Sequence, residues 1–234
     1  MSIFRGKAAL NSRTSIVRVD VSKCCDWQCY SYSSEGWHYL TAVLKQFINN
    51  PALDYQSSVL KKYYDLYQPK SLMECLFYGE GYKRLRTPWS PLPWRPNTKW
   101  MTGENQHFGP NSDEFGEKEF LRVVSIYKKL KEDGYLPEEN EDGYIRGQFL
   151  KKGEDYRFLA GGGQHRLAAL SVLGIQTVSV KLQPHWVRVV NPNEVDTWFQ
   201  VRNKTYDQET ALRIFTNYFE NNGIEKAGRI GLLE

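Results

Sequence analysis

The residues best suited to chemistry lie in one short run, Gly161-Gly162-Gly163-Gln164-His165-Arg166. Glycines let a backbone approach an anion closely, and a helix that begins there directs free N–H groups at it. His165 and Arg166 add side-chain donors, and a guanidinium suits bidentate contact with phosphate. The run therefore predicts a phosphate-binding loop whose contacts are Gly161, Gly162, Gly163, Gln164, His165 and Arg166. A tight strand-to-helix turn uses the same residue types, so that interpretation stays open.

Regular elements flank this run on both sides. Upstream, residues 144–150 and 156–160 are predicted strands, joined by a polar turn into a hairpin. Downstream, a short helix of strong helix formers ends at Gly174, and residues 177–182 form a β-branched, alternating strand. The order strand, glycine loop, helix, strand predicts an α/β (α+β) fold with a small mixed sheet.

Amphipathic helices are predicted elsewhere in the chain. The clearest spans residues 120–131 and stops at Gly134, and another spans 207–220. A short strand at residues 16–21 precedes three expected helices, at 37–48, at 57–67 and after the capping residue Ser71. We expect residues 225–234 to be loosely held.

Phosphoryl transfer also requires a carboxylate that accepts a hydroxyl proton or holds Mg²⁺. Four carboxylates are candidates, and the sequence does not choose among them: Asp142, Glu117, Glu119 and Asp155. Asp142 also suits the start of an Asp-Gly turn, and Glu119 also favours a helix N-terminus. Arg146 and Arg157 are expected to face the same cleft as substrate-binding residues. His107 is expected to line it, with an ordinary loop histidine as the alternative.

The composition limits the function classes. The 234 residues carry 31 basic and 27 acidic side chains, and this near balance gives no global signature of a nucleic-acid binder. The hydrophobic share of 41% is enough for a real core. No leader-like or membrane-length apolar run is visible, so a cytoplasmic location is expected.

Two other clusters have competing explanations. Cys24, Cys25 and Cys29 lack typical zinc-finger spacing, so we expect buried thiols and no metal site, with zinc as the alternative. Residues 82–100 hold four prolines, three tryptophans and five basic residues. This segment either wraps the core and buries its tryptophans, which we favour, or stacks bases and grips phosphates.

The motif and its flanking elements resemble the ParB/sulfiredoxin superfamily. The resemblance rests on the strand, the Gly-x-His-Arg pattern, an alanine-rich helix, a glycine and a valine-rich strand, and it covers residues 119–182. The chain is also similar to uncharacterised bacterial ParB-like proteins in three places. These are Gly109-Pro110, the run Asp142-Gly143-Tyr144-Ile145-Arg146-Gly147 and the run Ile214-Phe215-Thr216-Asn217-Tyr218-Phe219.

This resemblance implies nucleotide binding, with ATP or CTP and Mg²⁺, and three possible outcomes. ParB partition proteins hydrolyse CTP and clamp DNA, sulfiredoxins phosphorylate a cysteine sulfinic acid, and free-serine kinases of this fold phosphorylate a small hydroxyl. Sulfiredoxin chemistry needs a cysteine where this chain has Gln164, so that activity is excluded. No recognition helix follows the core, which disfavours specific DNA binding.

The leading hypothesis is a nucleotide-dependent phosphotransferase that acts on a small hydroxyl or sugar-like acceptor. The catalytic candidates are Asp142, Glu119, His165 and Arg166. The alternatives are a ParB-like nucleotide-dependent DNA-binding protein or nuclease, and a non-catalytic nucleotide-binding or interaction module. We expect a nucleotide-binding core at residues 101–190, a helical and proline/tryptophan-rich elaboration at 1–100, and a C-terminal helix and tail at 191–234.

Overall fold

A two-stranded hairpin forms the middle of the fold in the computed structural model, which describes residues 16–96, 103–140 and 143–233. Strands β3 (Ile145–Lys152) and β4 (Asp155–Gly162) pair antiparallel, with Phe149 opposite Phe158. The turn between them contains Gly153, which has a φ of 60°. The two predicted strands are confirmed. Strand β3 begins one residue later and ends two residues later than predicted, and β4 begins one residue earlier and ends two residues later.

Four more strands complete a mixed sheet within the described residues. Strand β5 (Thr177–Leu182) runs parallel to the start of β3, and β1 (Ile16–Asp20) pairs antiparallel with β5. At the other edge, β2 (Cys24–Cys25) pairs parallel with β4. Strand β6 (Val189–Val190) pairs parallel with β3 on the same side as β5, further along the strand. The order is β1-β5-β3-β4-β2, with β6 beside β3. The α/β class with a mixed sheet is therefore confirmed.

Helices cover both faces of this sheet. In chain order they are α1 (Tyr39–Asn49), α2 (Val59–Leu66), α3 (Leu72–Leu76), α4 (Asp113–Asp133), α5 (Gln164–Val172), α6 (Phe199–Arg202), α7 (Gln208–Glu220) and α8 (Ile224–Ile230). Two short 3₁₀ helices, Val21–Lys23 and Pro192–Thr197, connect other elements. Among the described residues, no helix is both long and apolar enough to span a membrane.

Alternation along β4 divides the core into two layers. Phe158 belongs to the layer that contains α1, α2, α4 and α5, and Leu159 belongs to the layer that contains Trp94, Trp198 and α7. Successive strand residues point to opposite faces, so both side chains are fully buried. This arrangement places the N-terminus of α5 at the end of β4, against α4.

Helix α4 begins seven residues before the predicted start. The hydroxyl of Ser112 accepts a hydrogen bond from the N–H of Phe115 at 3.2 Å, and Asp113 and Glu114 occupy the first turn. Negative side chains at this position stabilise the helix dipole, although they interrupt the apolar pattern. The earlier start places Glu119 inside the helix.

The expectation of a loosely held tail is wrong for residues 225–233. Helix α8 packs Ala227 and Ile230 into the core, and Lys226 is only 8% exposed. The Lys226 ammonium donates to the carbonyl oxygens of Gln28 and Cys75, which lie in distant parts of the chain. These contacts fix the tail to the N-terminal segment.

The aromatic segment wraps the core where it is described. Trp89 stacks on Phe108 with ring centroids 5.3 Å apart, and Trp94 is 3% exposed and packs edge-on against Trp198. The packing interpretation is confirmed for these two tryptophans. Trp100 lies outside the described residues.

Candidate functional site

The glycine loop joins the end of β4 to the start of α5. Gly163 has a φ of 81°, in the left-handed region, and precedes the first helical residue, Gln164. A Cβ at Gly163 would also lie 3.0 Å from a side-chain carbon of Ile145, so the position requires glycine. At Gly162, in contrast, a Cβ would have no neighbour within 4 Å. The loop is therefore open above Gly162.

The first turn of α5 offers backbone donors at this opening. The first intrahelical bond runs from the N–H of Leu167 to the carbonyl of Gly163 at 3.0 Å. The N–H groups before Leu167 have no carbonyl partner within the helix, and no side chain at Gly163 caps them. This geometry suits a phosphate or another oxyanion.

A buried acid–base pair lies at the same helix start. An oxygen of Glu119, from α4, is 2.9 Å from Nε2 of His165 in the first turn of α5. The two atoms are at hydrogen-bond distance, so the carboxylate and the imidazole are in direct contact. The His165 side chain therefore points inward to Glu119.

The Glu119 carboxylate is held in its charged form. Burial raises its pKa, but the contacts with His165 and with Arg122, at 3.3 Å, outweigh burial and leave the pKa below its ordinary value. Glu119 is 8% exposed, and His165 is 4% exposed. The pair is therefore largely shielded from bulk water.

A loop before α4 adds amide and imidazole groups. The Gln106 side-chain amide donates to the Gln164 carbonyl oxygen at 3.0 Å, and the indole N–H of Trp27 donates to Nδ1 of His107 at 3.2 Å. Tyr63 donates to the backbone carbonyl of His107 at 2.6 Å. Burial and the neighbouring His165 lower the pKa of His107 to about 3, so its ring is neutral at neutral pH.

The Arg166 guanidinium lies against the glycine loop, because a Cβ at Gly163 would be 3.0 Å from its Nη2. Its guanidinium donates to the backbone carbonyl of Gly143, directly before β3, and so joins α5 to the start of the hairpin. The predicted catalytic carboxylate Asp142 lies outside the described residues. Its role at the site therefore stays a prediction.

The two strand arginines lie in different places. Arg146 is exposed, and its Cα is paired with Gly162, so the sheet brings it beside the loop. Arg157 lies five residues before Gly162 on β4, about 17 Å away at the usual strand rise. It contacts Asp155 at 2.9 Å, so neither Arg157 nor Asp155 is brought to the loop. Glu117 is exposed on α4.

The structure thus joins Glu119, His165, Gln164 and the glycines, with His107 next to them. Sequence reasoning did not find Gln106 and Trp27, because a loop amide and an indole carry no spacing signal. All four cysteines are buried free thiols. In the described part of the chain, no three His, Cys, Asp or Glu side chains lie together as a metal site.

No family model, curated protein or solved structure matches this chain. The arrangement of the site is therefore the only basis for a functional proposal. It combines a helix start whose geometry suits an oxyanion with a buried contact between a charged carboxylate and a histidine.

Proposed function

We propose that the protein is a nucleotide-dependent phosphotransferase that acts on a small hydroxyl or sugar-like acceptor. The observation that carries this proposal is the Glu119–His165 pair, buried in the first turn of the helix that the glycine loop opens. A phosphate position and a proton-accepting group then lie side by side, as phosphoryl transfer to a hydroxyl requires.

The proposed fold type is that of the ParB/sulfiredoxin superfamily. Its support is the order β4, glycine loop, α5, β5, together with the parallel pairing of β5 and β3. Helix α4 packs on α5 from the preceding part of the chain. This order of elements supports the proposed fold type.

In the proposed mechanism the loop backbone holds the nucleotide phosphates. The N–H groups at the start of α5 face the terminal phosphates, and the open space at Gly162 lets them approach the backbone. Arg146, beside Gly162, supplies positive charge from the neighbouring strand. These groups stabilise the charge that spreads over the transferred phosphoryl group.

The acceptor hydroxyl then attacks the terminal phosphorus. A bond forms between the acceptor oxygen and phosphorus, the bond to the bridging oxygen breaks, and the nucleoside diphosphate leaves. The hydroxyl proton passes to the Glu119 carboxylate, which is charged before the reaction. Gln164 is bound to Gln106 and serves to position that loop.

Mg²⁺ fits this site through the nucleotide. The ion usually takes one or two protein carboxylates together with phosphate oxygens and water, and so needs no cluster of protein ligands. Asp142, which lies outside the described residues, is the carboxylate that we propose for this contact. When bound, Mg²⁺ would neutralise charge on the phosphates.

Phosphorus NMR of ATP or CTP with Mg²⁺ and a panel of polyols, amino alcohols and sugars tests the proposal. We expect loss of the terminal phosphate signal and a new phosphate ester signal with one acceptor class. Glu119→Gln should slow the reaction by about 100-fold or more. Glu117→Gln is the matched control, because it changes an exposed carboxylate on the same helix. Equal rates for the Glu119→Gln variant and the wild type would refute the proposed role of the pair.

A further inference from the structure

The layer between the sheet and α7 contains three side chains whose buried polar atoms have no hydrogen-bond partner. They are Trp94 through Nε1, Arg95 through Nε and Nη2, and Gln148 through both amide atoms. Such groups are rare in folded proteins because each loses its hydration without replacement. Seven other described residues, outside this layer, also have such atoms, so it is the charge on Arg95 that indicates a place where a polar ligand completes the bonding.

Of the three side chains, Arg95 gives the strongest indication of a polar ligand. Its guanidinium lies over the Trp186 ring with Cζ 3.6 Å from the ring centroid, and no carboxylate in the described residues lies within ion-pair distance. The six residues after Pro96 contain no Asp or Glu. Burial lowers the pKa of Arg95 to about 10, so the group remains a cation at neutral pH. Arg95 is half-buried, but its Nε and Nη2 atoms are closed to solvent, and a desolvated cationic edge without an anion is costly.

The unpaired atoms of Arg95 form a defined binding edge. Nε and Nη2 lie on the same side of the guanidinium plane, and their N–H bonds point in nearly the same direction. A carboxylate or phosphate accepts two parallel hydrogen bonds from such an edge. A single neutral acceptor would satisfy only one of the two.

Trp186 connects this edge to the glycine loop. A Cβ at Gly161 would overlap the six-membered part of the Trp186 ring, so the indole lies directly against the loop backbone. Arg95 covers the face of the same indole. Gln148 lies on the neighbouring strand, opposite Leu159, whose side chain shares this face of the sheet with Gly161. The guanidinium is therefore one indole away from the phosphate-binding loop.

We propose that the Nε–Nη2 edge of Arg95 binds an anionic group of the acceptor substrate, a carboxylate or a phosphate. This inference rests on the proposed function, because it identifies the acceptor as a small hydroxyl compound that carries a negative charge. The indole of Trp186 supports the acceptor beside the loop, and Gln148 supplies an amide donor and acceptor. The edge is closed to solvent, so binding requires movement of the surface above it.

Thermal unfolding in sodium malonate, sodium phosphate and sodium chloride at equal ionic strength tests this site. The probes are added to the intact protein in the presence of Mg²⁺ and ATP, which occupies the loop. We expect malonate or phosphate to raise the Tm of the wild type by about 3 °C or more over chloride, as a ligand of the folded state does. The larger of the two shifts identifies the acceptor anion as carboxylate or phosphate.

Three variants make the test specific. Arg95→Met removes the charge, and Arg95→Lys keeps the charge but removes the two-donor edge, so both should lose the anion-specific shift. Arg84→Met changes an exposed arginine of the same segment and should keep it. If Arg95→Met does not fold, the anion-specific Tm shift of Arg95→Lys tests the proposal. An equal shift in the wild type and the Arg95 variants, or no shift in the wild type, would overturn the proposal.

Calorimetric titration with ATP distinguishes a failure of this inference from a failure of the proposed function. Arg95→Met should bind ATP within about twofold of the wild type, which is a difference of about 0.4 kcal/mol. If the wild type does not bind ATP but its anion response still depends on Arg95, the anion site stands and the phosphotransferase proposal fails. If ATP binds and the anion response does not depend on Arg95, the anion site fails and the phosphotransferase proposal stands.

Discussion

Glu119 and His165 meet at 2.9 Å from two separate helices, and both side chains are at least nine-tenths buried. Helix α4 supplies the carboxylate, and the first turn of α5 supplies the imidazole. Because α5 begins where the glycine loop ends, this contact sets the position of the loop relative to α4. The same pair therefore links the packing of the two helices to the proposed chemistry.

A double-mutant cycle should detect strong coupling within this pair. We expect Glu119→Gln and His165→Gln to show a coupling energy of about 1 kcal/mol or more, since both partners are shielded from water. The cycle of Glu119→Gln with Arg122→Gln is the control. Arg122 contacts the same carboxylate, but its side chain is 57% exposed, so its coupling should stay below about 0.5 kcal/mol. Urea unfolding measures the free energy of unfolding of each variant. Equal coupling energies in the two cycles would contradict this prediction.

A buried carboxylate should make the stability depend on pH. Asp26 is fully buried and accepts hydrogen bonds from the N–H groups of Gln28 and Tyr30, both at 2.9 Å. Burial raises its pKa from 3.8 to about 6, although Lys226 opposes this. The folded protein thus keeps a proton that the unfolded chain loses. This stabilising contribution is complete below about pH 4 and is lost as the pH rises through about 6.

Asp26→Asn should remove that contribution. Between pH 4 and 7 the free energy of unfolding of the wild type should fall relative to the variant by about 2 to 3 kcal/mol. Asp196→Asn, which changes an exposed carboxylate, should show no such difference. Urea unfolding at a series of pH values measures it. Parallel curves for the wild type and Asp26→Asn would show that Asp26 does not titrate in this range.

His107 should have the opposite pH dependence. Its pKa falls from 6.5 to about 3 on burial, so between these values the unfolded chain binds a proton that the folded protein does not. Its contribution to stability is present above about pH 6.5 and is lost as the pH falls toward 3. His107→Gln should therefore gain stability relative to the wild type on acidification from pH 7 to 4. His185→Gln changes an exposed histidine and should not gain stability relative to the wild type on acidification. An equal response of the two variants would refute the burial of a neutral His107.

The C-terminal helix should be essential for stability. Ala227 is fully buried, and Ala227→Asp should destabilise the protein by more than about 2 kcal/mol, because it buries a charge without a partner. Gly228→Asp is the matched control at the next position, where a Cβ meets only the end of Leu233 at 4.0 Å. Urea midpoints compare the two. Similar midpoints would mean that α8 detaches from the core.

Local signals predicted the elements but not their contacts. The alternation of β-branched residues predicted β5 with its observed bounds, and Ser71 caps α3 as expected because its hydroxyl accepts from the N–H of Glu74. The helix α8 was missed because Lys226 and Gly228 interrupt its apolar face. A lysine counts as a surface residue in any pattern, yet here two backbone carbonyls hold it inside.

The sequence predicted only part of the site, again because local signals do not show the contacts between distant elements. The glycine run identified the loop, since the required residue types are consecutive in the chain. Glu119 was one of four candidate carboxylates, and only the packing of α4 on α5 selects it. Arg157 has the periodicity of a strand residue, but its distance along β4 separates it from the loop. Spacing along a strand is visible in a sequence, whereas the pairing of distant helices is not.

Calorimetric titration of Gly162→Val with ATP and Mg²⁺ tests the central claim most directly. A Cβ at Gly162 would meet no atom within 4 Å, so we expect the variant to keep the Tm of the wild type while the valine fills the space above the loop. Gly81→Val is the matched control, because a Cβ at Gly81 also meets nothing within 4 Å. We predict that the wild type and Gly81→Val bind ATP alike, and that Gly162→Val loses at least about tenfold, or 1.4 kcal/mol. Equal binding by all three proteins, or no binding by the wild type, would contradict a phosphate-binding role for the loop.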